Sequence, residues 1–278
     1  MPVVSIITPF RDAAHFLPGL VANLQQQSFM DWECLLVNHG SKDGGGELAK
    51  TLIASDTRFR LIELPRFREF DNQLPAIPRN KALLEAQSEL IAFLDVDDLW
   101  HPLKLERQLR FHREYSLDLS VTAFARFNNL TKQVGPWRLP PNHSIHTQIR
   151  WRNPIPLLTA LVRRDLLDNG FPLHPHEDYL LWLEIFSNNP AIRYGCLPQV
   201  LAFYRRHSSN ISRHPYQLVR WTYGVYRVSG ANPVQAFGQL LLWGVAHCIC
   251  LLRDKFLRRL FRYNLDELLI LAPWDFVK

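Results

Sequence analysis

IAFLDVDDLWHPLKLERQL, Ile91 to Leu109, is the stretch on which the reading of this chain turns. Its apolar opening, Ile91 to Leu94, has the character of a strand buried on both faces. The run ends abruptly in three carboxylates, Asp95, Asp97 and Asp98, with Val96 inside the group. A helical pattern then runs from Pro102 to Tyr115. Carboxylates held this close repel one another, and each favours its protonated form unless something positive sits nearby. One reading is structural, with Asp98 capping the helix near Pro102 and Asp95 and Asp97 solvated in the loop. The other is a site for a cation.

Around this stretch, short apolar runs alternate with helical patterns. Strands are predicted over Val3–Thr8, Glu33–Asn38, Phe59–Leu64, Leu90–Leu94 and Leu119–Ala125. Helices are predicted over His15–Gln27, Gly46–Ser55, Pro102–Tyr115 and from Pro78 to Ala86. Such alternation implies βαβ units and a mostly parallel sheet with helices on both faces. In these sheets ligands bind at the carboxyl ends of strands. The acids after Leu94 and the loop NHGSKDGG, Asn38 to Gly45, both fall at such ends.

From Phe127 to Pro156 the pattern breaks into a long loop with five prolines, Trp137 and Trp151, a length that points to function. A strand is predicted over Leu158–Val162 and a short helix over Arg164–Asn169, with Gly170 as its cap. HPHEDYLLWLEIFSN, from His174, opens a helix whose first turn carries Glu177 and Asp178, where the helix dipole favours negative charge. The last strands lie in the stretch from Ala191 to Ser212.

Beyond His214 the chain turns apolar and aromatic, with Val234–Leu252 free of charged residues and RDKFLRRLFRY following. Three readings of this tail stay open. It is a buried helix, an interfacial helix with Arg253, Lys255, Arg258, Arg259 and Arg262 toward anionic lipid, or, least supported, a bilayer span.

The bulk numbers are those of a soluble globular chain: 278 residues, 47% hydrophobic, with 32 Lys and Arg against 26 Asp and Glu, formally +6. That basic excess suits phosphate-bearing ligands or an anionic surface and does not by itself indicate nucleic acid. The basic residues are dispersed, and an acidic cluster in the main cleft argues against a nucleic-acid partner despite stretches such as QIRWRN (148–153). The four cysteines, Cys34, Cys196, Cys248 and Cys250, lack the C-x-x-C spacing of a zinc or redox motif and read as reduced thiols. The opening MPVVSIITPF reads as a first strand rather than a leader. A cytoplasmic location follows, at the inner face of the membrane if the tail is interfacial, and the sequons at Asn129, Asn142 and Asn210 are then chance.

A magnesium or manganese ion is commonly held by one or two carboxylates, with water and substrate phosphates completing its shell. The acids after Leu94 therefore suit a metal bound to a nucleoside diphosphate better than a closed metal cage.

VSIITPFRDAAHFLPGLVANLQQQSFMDWECLLVNHGSKDGG (4–45), PRNKALLEAQSELIAFLDVDDLWHPLKLERQL (78–109) and HEDYLLWLEI (176–185) occur in one order. Over roughly residues 1–210 that order resembles the family 2 glycosyltransferases of the GT-A fold. The resemblance implies a Rossmann-like α/β domain over 1–213, with a nucleotide-binding half to 125 and an acceptor half over 126–213. Residues 214–278 would form a helical extension, the part open to peripheral membrane contact.

It further implies an inverting, metal-dependent hexosyltransferase that moves a sugar from a nucleotide-sugar donor, UDP-sugar favoured, to a saccharide or lipid-linked acceptor. Asp95 and Asp97 would hold Mn2+ or Mg2+ with Asp98 in support, and His207 joins them as a further metal candidate. Asp178 would be the general base, with Glu177 as its alternative. Pro9, Asp12, His39, Asp43, Arg79, Asn80 and Asp95 would line the donor site. Arg205, Arg206 and His207 in YRRHSSNIS would clamp the diphosphate.

The chain departs from the family at Asn38 and His39, which stand where relatives carry two acids, and this puts the uracil preference in question. It departs again at Arg11 and Asp12, where relatives carry Tyr-Asn. A catalytically degenerate sugar-nucleotide or glycan-binding module is the alternative. A nucleotidyltransferase is disfavoured because no Gly-rich triphosphate loop follows the first strand.

Overall fold

The computed structural model describes residues 1–66, 75–207, 215–257 and 263–270. The first half follows the expected alternation: β1 (Val4–Phe10), α1 (Leu17–Gln25), β2 (Trp32–His39), α2 (Gly45–Ile53), β3 (Phe59–Leu64), α3 (Ala76–Glu85) and β4 (Leu90–Phe93). β5 (Leu99–Trp100), α4 (Lys104–Glu114), β6 (Leu119–Asn128), β7 (Gln133–Val134) and α5 (Ile145–Gln148) come next. The chain continues with β8 (Leu161–Arg163), α6 (Glu177–Asn188), β9 (Tyr194–Arg206), α7 (Pro215–Val228), α8 (Pro233–Leu257), β10 (Tyr263–Asn264) and α9 (Leu265–Ile270).

The strands form one sheet in the order β10-β7-β6-β8-β4-β1-β2-β3, with β9 paired to β6 and β5. β3, β2, β1 and β4 are parallel, and their apolar runs are continuous because both faces are covered. Alternate residues divide between two cores. Ile6, Cys34 and Leu36 pack with Leu17, Leu20 and Leu24 of α1 and Leu105 of α4. Ile7, Leu35 and Val37 pack with Ala82 of α3 and with Trp182 and Ile185 of α6.

Beyond β4 the sheet is mixed rather than parallel, because β8 runs antiparallel to both β4 and β6. The expected strand from Leu158 begins later. Leu157–Thr159 instead forms a 3-10 turn after Pro156, closed by the Thr159 N–H and hydroxyl, both donating to the Pro156 carbonyl (2.9 and 2.7 Å). The segment after β8 is a short 3-10 turn, Arg164–Leu167, and Gly170, at φ +67°, donates its N–H to Leu167 O as a cap does. The C-terminal strands merge into one, β9, whose register on β6 shifts beyond Leu197, where Pro198 has no N–H to give.

The long loop is anchored: Trp137 packs against the Phe127–Phe203 cluster, and the Trp151 carbonyl accepts the Tyr226 hydroxyl at 2.6 Å. Val225 and Tyr226 of α7 and Ala236 of α8 join the α6 core. Most of α8 does not, since only 6% of its most apolar 18-residue window is buried, so the buried-helix reading fails. Arg258, Arg259 and Arg262, expected on a lipid-facing surface, lie outside the described residues, as does the side chain of Lys255.

Candidate functional site

Parallel strands aim their carboxyl ends at one edge of the sheet, and a long cleft opens there. The three acids that follow β4 have three separate partners. Asp95 Oδ1 accepts Arg79 Nη2 of α3 at 2.6 Å, and Asp97 Oδ2 pairs with His207 Nε2 at 2.7 Å. Asp98 is buried beneath the end of β9, where Oδ1 accepts the backbone N–H of Arg205 at 2.8 Å. Asp98 does not cap α4, whose first turn carries no side-chain cap.

Burial, and then the neighbouring acids, push the Asp97 and Asp98 carboxyls upward. A cation would relieve that repulsion, and oxygen donors suit a hard divalent ion. Among the described residues no three His, Cys, Asp or Glu side chains converge as a metal cage. An open site completed by substrate phosphates requires only one or two carboxylates, so Asp95 and Asp97 fit a magnesium or manganese ion.

Arg79 is the hinge of the arrangement. It is buried in α3, and its other fork nitrogen, Nη1, donates to Glu177 Oε1 at the start of α6. One guanidinium thus joins the strand-end acids to the Glu177–Asp178 pair, the bidentate geometry that arginine offers and lysine lacks. Asp178 sits beside Glu177 on the cleft wall and accepts Asn153 Nδ2 from the long loop at 2.7 Å. Burial pushes both carboxyls up, against the downward pull of the Arg79 charge. His176, in the left-handed conformation at φ 61°, makes the turn that aims the pair into the cleft.

The donor end is built from the loops after β1 and β2. Asp12, at φ 48°, accepts the Lys42 N–H at 2.7 Å and Arg66 Nη1 at 3.3 Å. Asp43 receives the N–H groups of Ala14 (2.7 Å) and Gly45 (3.0 Å), so it ties the two loops together at the start of α2. Asn38 accepts the Ser41 N–H at 3.0 Å and donates to Glu63 at 2.7 Å, both structural tasks. Pro9 and His39 line the cleft, and burial, then Arg11 and Arg66, lower the His39 pKa, which favours its neutral ring.

Of the expected residues, Asn80, Asp43 and Arg205 do not line the cleft. Both ends of the Asn80 amide are spent on the Phe171 backbone, at 2.9 and 2.6 Å, so it braces the turn after Gly170. Arg205 is internal: it donates Nε to the Asp97 carbonyl and Nη1 to Asn129 (2.7 Å), between the rings of Phe16 and Phe127. Arg206 and His207 line the cleft. The reading of the sequence missed Phe16, whose ring lies 5.3 Å from that of His207, and Asn153, which holds Asp178. It also missed Arg126, although a lone charge inside a buried β6 was a visible signal. Trp221, Trp243 and His247 of α7 and α8 also line the cleft.

Solved structures share this fold. TarS of S. aureus, residues 1–349 in complex with UDP-GlcNAc, has a TM-score of 0.65 at 19% identity, over 87% of this chain and 71% of that one. Mannosyltransferase PcManGT of Pyrobaculum calidifontis, in complex with GDP-Man and Mn2+, has a TM-score of 0.63 at 17% identity, over 86% and 68%. These likenesses establish the GT-A architecture.

WfgD of Escherichia coli, a UDP-Glc:alpha-D-GlcNAc-diphosphoundecaprenol beta-1,3-glucosyltransferase, is 29% identical over 240 residues, 86% of this chain and 91% of that protein. TuaG of Bacillus subtilis (strain 168), a glycosyltransferase named for teichuronic acid biosynthesis, is 29% identical over 228 residues, 81% and 88%. The profile described as glycosyl transferase family 2 matches residues 5–170, more than half the chain, and the protein therefore belongs to glycosyl transferase family 2.

Proposed function

We propose that this chain is an inverting, metal-dependent hexosyltransferase that transfers a sugar from a nucleotide-sugar, UDP-sugar favoured, to a lipid-linked saccharide. The observation that carries the reading is the Arg79 fork, which sets Asp95 and the Glu177–Asp178 pair on two sides of one cleft. Two sites of opposite task, one for a leaving diphosphate and one for an attacking hydroxyl, are what a single displacement requires.

Asp178 is the base. Glu177 is engaged by Arg79, whereas Asp178 takes the Asn153 amide and the Tyr179 backbone and lines the cleft, where an acceptor hydroxyl can reach it. It accepts the hydroxyl proton as the oxygen attacks the anomeric carbon, and general-base assistance of this kind contributes about 10²–10⁴-fold. The bond to the diphosphate breaks as the new glycosidic bond forms on the opposite face, so configuration inverts.

Asp95 and Asp97 would hold the Mn2+ or Mg2+, which when bound would offset the negative charge gathering on the departing diphosphate. His207, held on Asp97 and against Phe16, stands at the same place. Pro9, Asp12, His39 and Asp43 shape the nucleotide end. The neutral His39 ring offers one donor or one acceptor to the base, so it replaces rather than repeats an acid.

The name of WfgD specifies a diphosphoundecaprenol-linked acceptor, and we assign this chain the same acceptor class. α8 supports that reading. Its 22-residue stretch Pro233–Asp254 is long and apolar enough to meet a bilayer, and Phe237, Leu241, Val245, Ile249 and Leu252 lie exposed along one side. We place it in the interface, at the cytoplasmic face of a membrane, with residues 214–278 as the extension that brings residues 1–213 to their acceptor.

The test is thermal unfolding with UDP, GDP, dTDP and CDP, each with and without Mn2+. A ligand at a hundredfold excess over its Kd stabilises by about 2.7 kcal/mol. One diphosphate should raise Tm only with metal, and D97A should abolish that rise while keeping its own fold. D178N should bind the donor normally and lose transfer by about 10²-fold or more. Retained metal-dependent transfer in D97A overturns the assignment, and stabilisation without transfer or donor hydrolysis makes the chain a binding module.

A further inference from the structure

The cleft does not end at Asp178. It runs on between β6, the long loop and α8, and there its walls change sign. Arg126 stands on β6, and Arg138 is fixed next to that strand by a backbone pair with Phe124 (3.0 and 2.7 Å). Arg152 lies immediately before Asn153, the residue that holds Asp178. All three line the cleft, and the Nε of each is buried without a hydrogen-bond partner among the described residues.

The acid paired with this group is Asp254 of α8, which binds Arg138 and lies 3.9 Å from Arg253. Burial and mutual repulsion are legible in the group: Arg126 is pushed down to about 10 by burial, then by Arg138, and Arg152 is lowered by burial, with Arg138 and Arg253 adding. His247, stacked on Trp243 at 5.0 Å, is lowered by burial and then by Arg138 and Arg126. Half-buried guanidiniums in excess of carboxylates, each with a buried Nε, are costly unless an anion joins them. Arginine forks match phosphate oxygens in particular.

Which phosphate they match follows from position. Arg152 adjoins Asn153, which holds Asp178, and Arg138 pairs with Asp254 of α8, a helix whose outer face is apolar and exposed, so these arginines link the base to that helix, while Arg126 pairs in register with Tyr204 of β9. An acceptor sugar at Asp178 has its carrier phosphates next to it and its hydrocarbon beyond them. That sequence of hydroxyl, diphosphate and lipid matches base, arginines and α8 in order.

We propose that Arg126, Arg138 and Arg152 form an acceptor-diphosphate site, which takes the diphosphate of a lipid-linked saccharide and so sets its sugar hydroxyl against Asp178. The inference rests on the lipid-linked reading of the acceptor. A soluble saccharide without phosphate should then be a poor acceptor.

The experiment is calorimetric titration of the full chain with farnesyl diphosphate in EDTA, which removes the metal route to the donor end. Inorganic pyrophosphate, farnesol, metal-free UDP and phosphatidylglycerol vesicles serve as the other arms. R126M and R152M should each weaken farnesyl diphosphate at least tenfold, and R126K and R152K should recover part of the loss. D254N, which frees Arg138, should tighten binding several-fold, a direction that damage to the fold cannot produce. Pyrophosphate should show the same arginine dependence at lower affinity, and farnesol none.

Unchanged affinity in R126M and R152M overturns the site. So does arginine dependence confined to the vesicles, which would make it a headgroup contact, or arginine-dependent displacement by metal-free UDP at lower concentration than by pyrophosphate, which would make it part of the donor site. UDP with Mn2+ should bind all variants as it binds the wild type. Failure of that control in the wild type strikes the transferase reading itself.

Discussion

Lys104 opens α4 with its side chain fully buried, and among the described residues no carboxylate meets it. Its Nζ donates to Gln108 Oε1 at 2.7 Å and lies 4.0 Å from the centre of the Trp100 ring. Burial pushes the ammonium down to about 7, against about 10.4 for a free lysine. The unfolded chain therefore binds more protons than the native one between about pH 7 and 10.4, and stability rises with pH across that window. At roughly 1.36 kcal/mol per pH unit, the penalty is on the order of 4 kcal/mol at pH 7 and about 2 kcal/mol at pH 9. K104M keeps the length and apolar character of the side chain and removes the charge. It forgoes a hydrogen bond worth about 1 kcal/mol, so the net gain is about 3 kcal/mol at pH 7, a rise in Tm of roughly 6–12 °C for a chain of this size. The gain should shrink by about 2 kcal/mol at pH 9. The assay is Tm of wild type and K104M from pH 6 to 9, the range in which the buried Cys34 and Cys196 thiols, both pushed up to about 12 by burial, remain protonated. Parallel curves, or a variant less stable than wild type at pH 7, would refute the reasoning.

Three further outcomes follow from the site. R79M should cost about 3–5 kcal/mol, because it leaves Glu177 buried without its cation; R79M/E177L should recover much of that, and additivity in the double-mutant cycle would deny the coupling. N153A removes the donor that favours charged Asp178, so the acid limb of the kcat–pH profile should move to higher pH while the alkaline limb stays; an unmoved acid limb would mean that Asp178 is not the base. D98N keeps an acceptor for the Arg205 N–H and should fold nearly as well as wild type, whereas D98A should lose about 1–3 kcal/mol in urea unfolding. Equal loss in both variants would show that Asp98 acts through its charge.

What the sequence disclosed follows from how local the cause is. Alternation of apolar runs and helical patterns located β1 to β4 within a few residues, because burial on both faces demands such runs whatever lies far away. The antiparallel β8 was not visible, because three residues carry no sign of their pairing direction and that direction depends on the crossover before them. The three acids after β4 were conspicuous, yet their division among Arg79, His207 and the Arg205 backbone was not, since those partners lie 16 to 110 residues away. Asn80 beside Arg79 looked like a second ligand of the same site; on a helix, adjacent residues point apart, and its amide serves the Phe171 backbone instead.

The like charges that end the buried strand β4 are accommodated by distribution. Each acid draws in a different element: Asp95 the helix α3 and through it α6, Asp97 the residue just past β9, Asp98 the last turn of β9 itself. The same contacts that lower the repulsion therefore bring the base, the diphosphate end and the sheet's mixed half to one cleft. Such economy has a consequence for experiment. A charge-removing change at Asp95 releases Arg79, and with it Glu177, so lost transfer there mixes a ligand effect with a displaced pair. Asp97 touches only His207 through its side chain among the described partners, which makes it the position where binding of a cation can be read separately from the integrity of the fold.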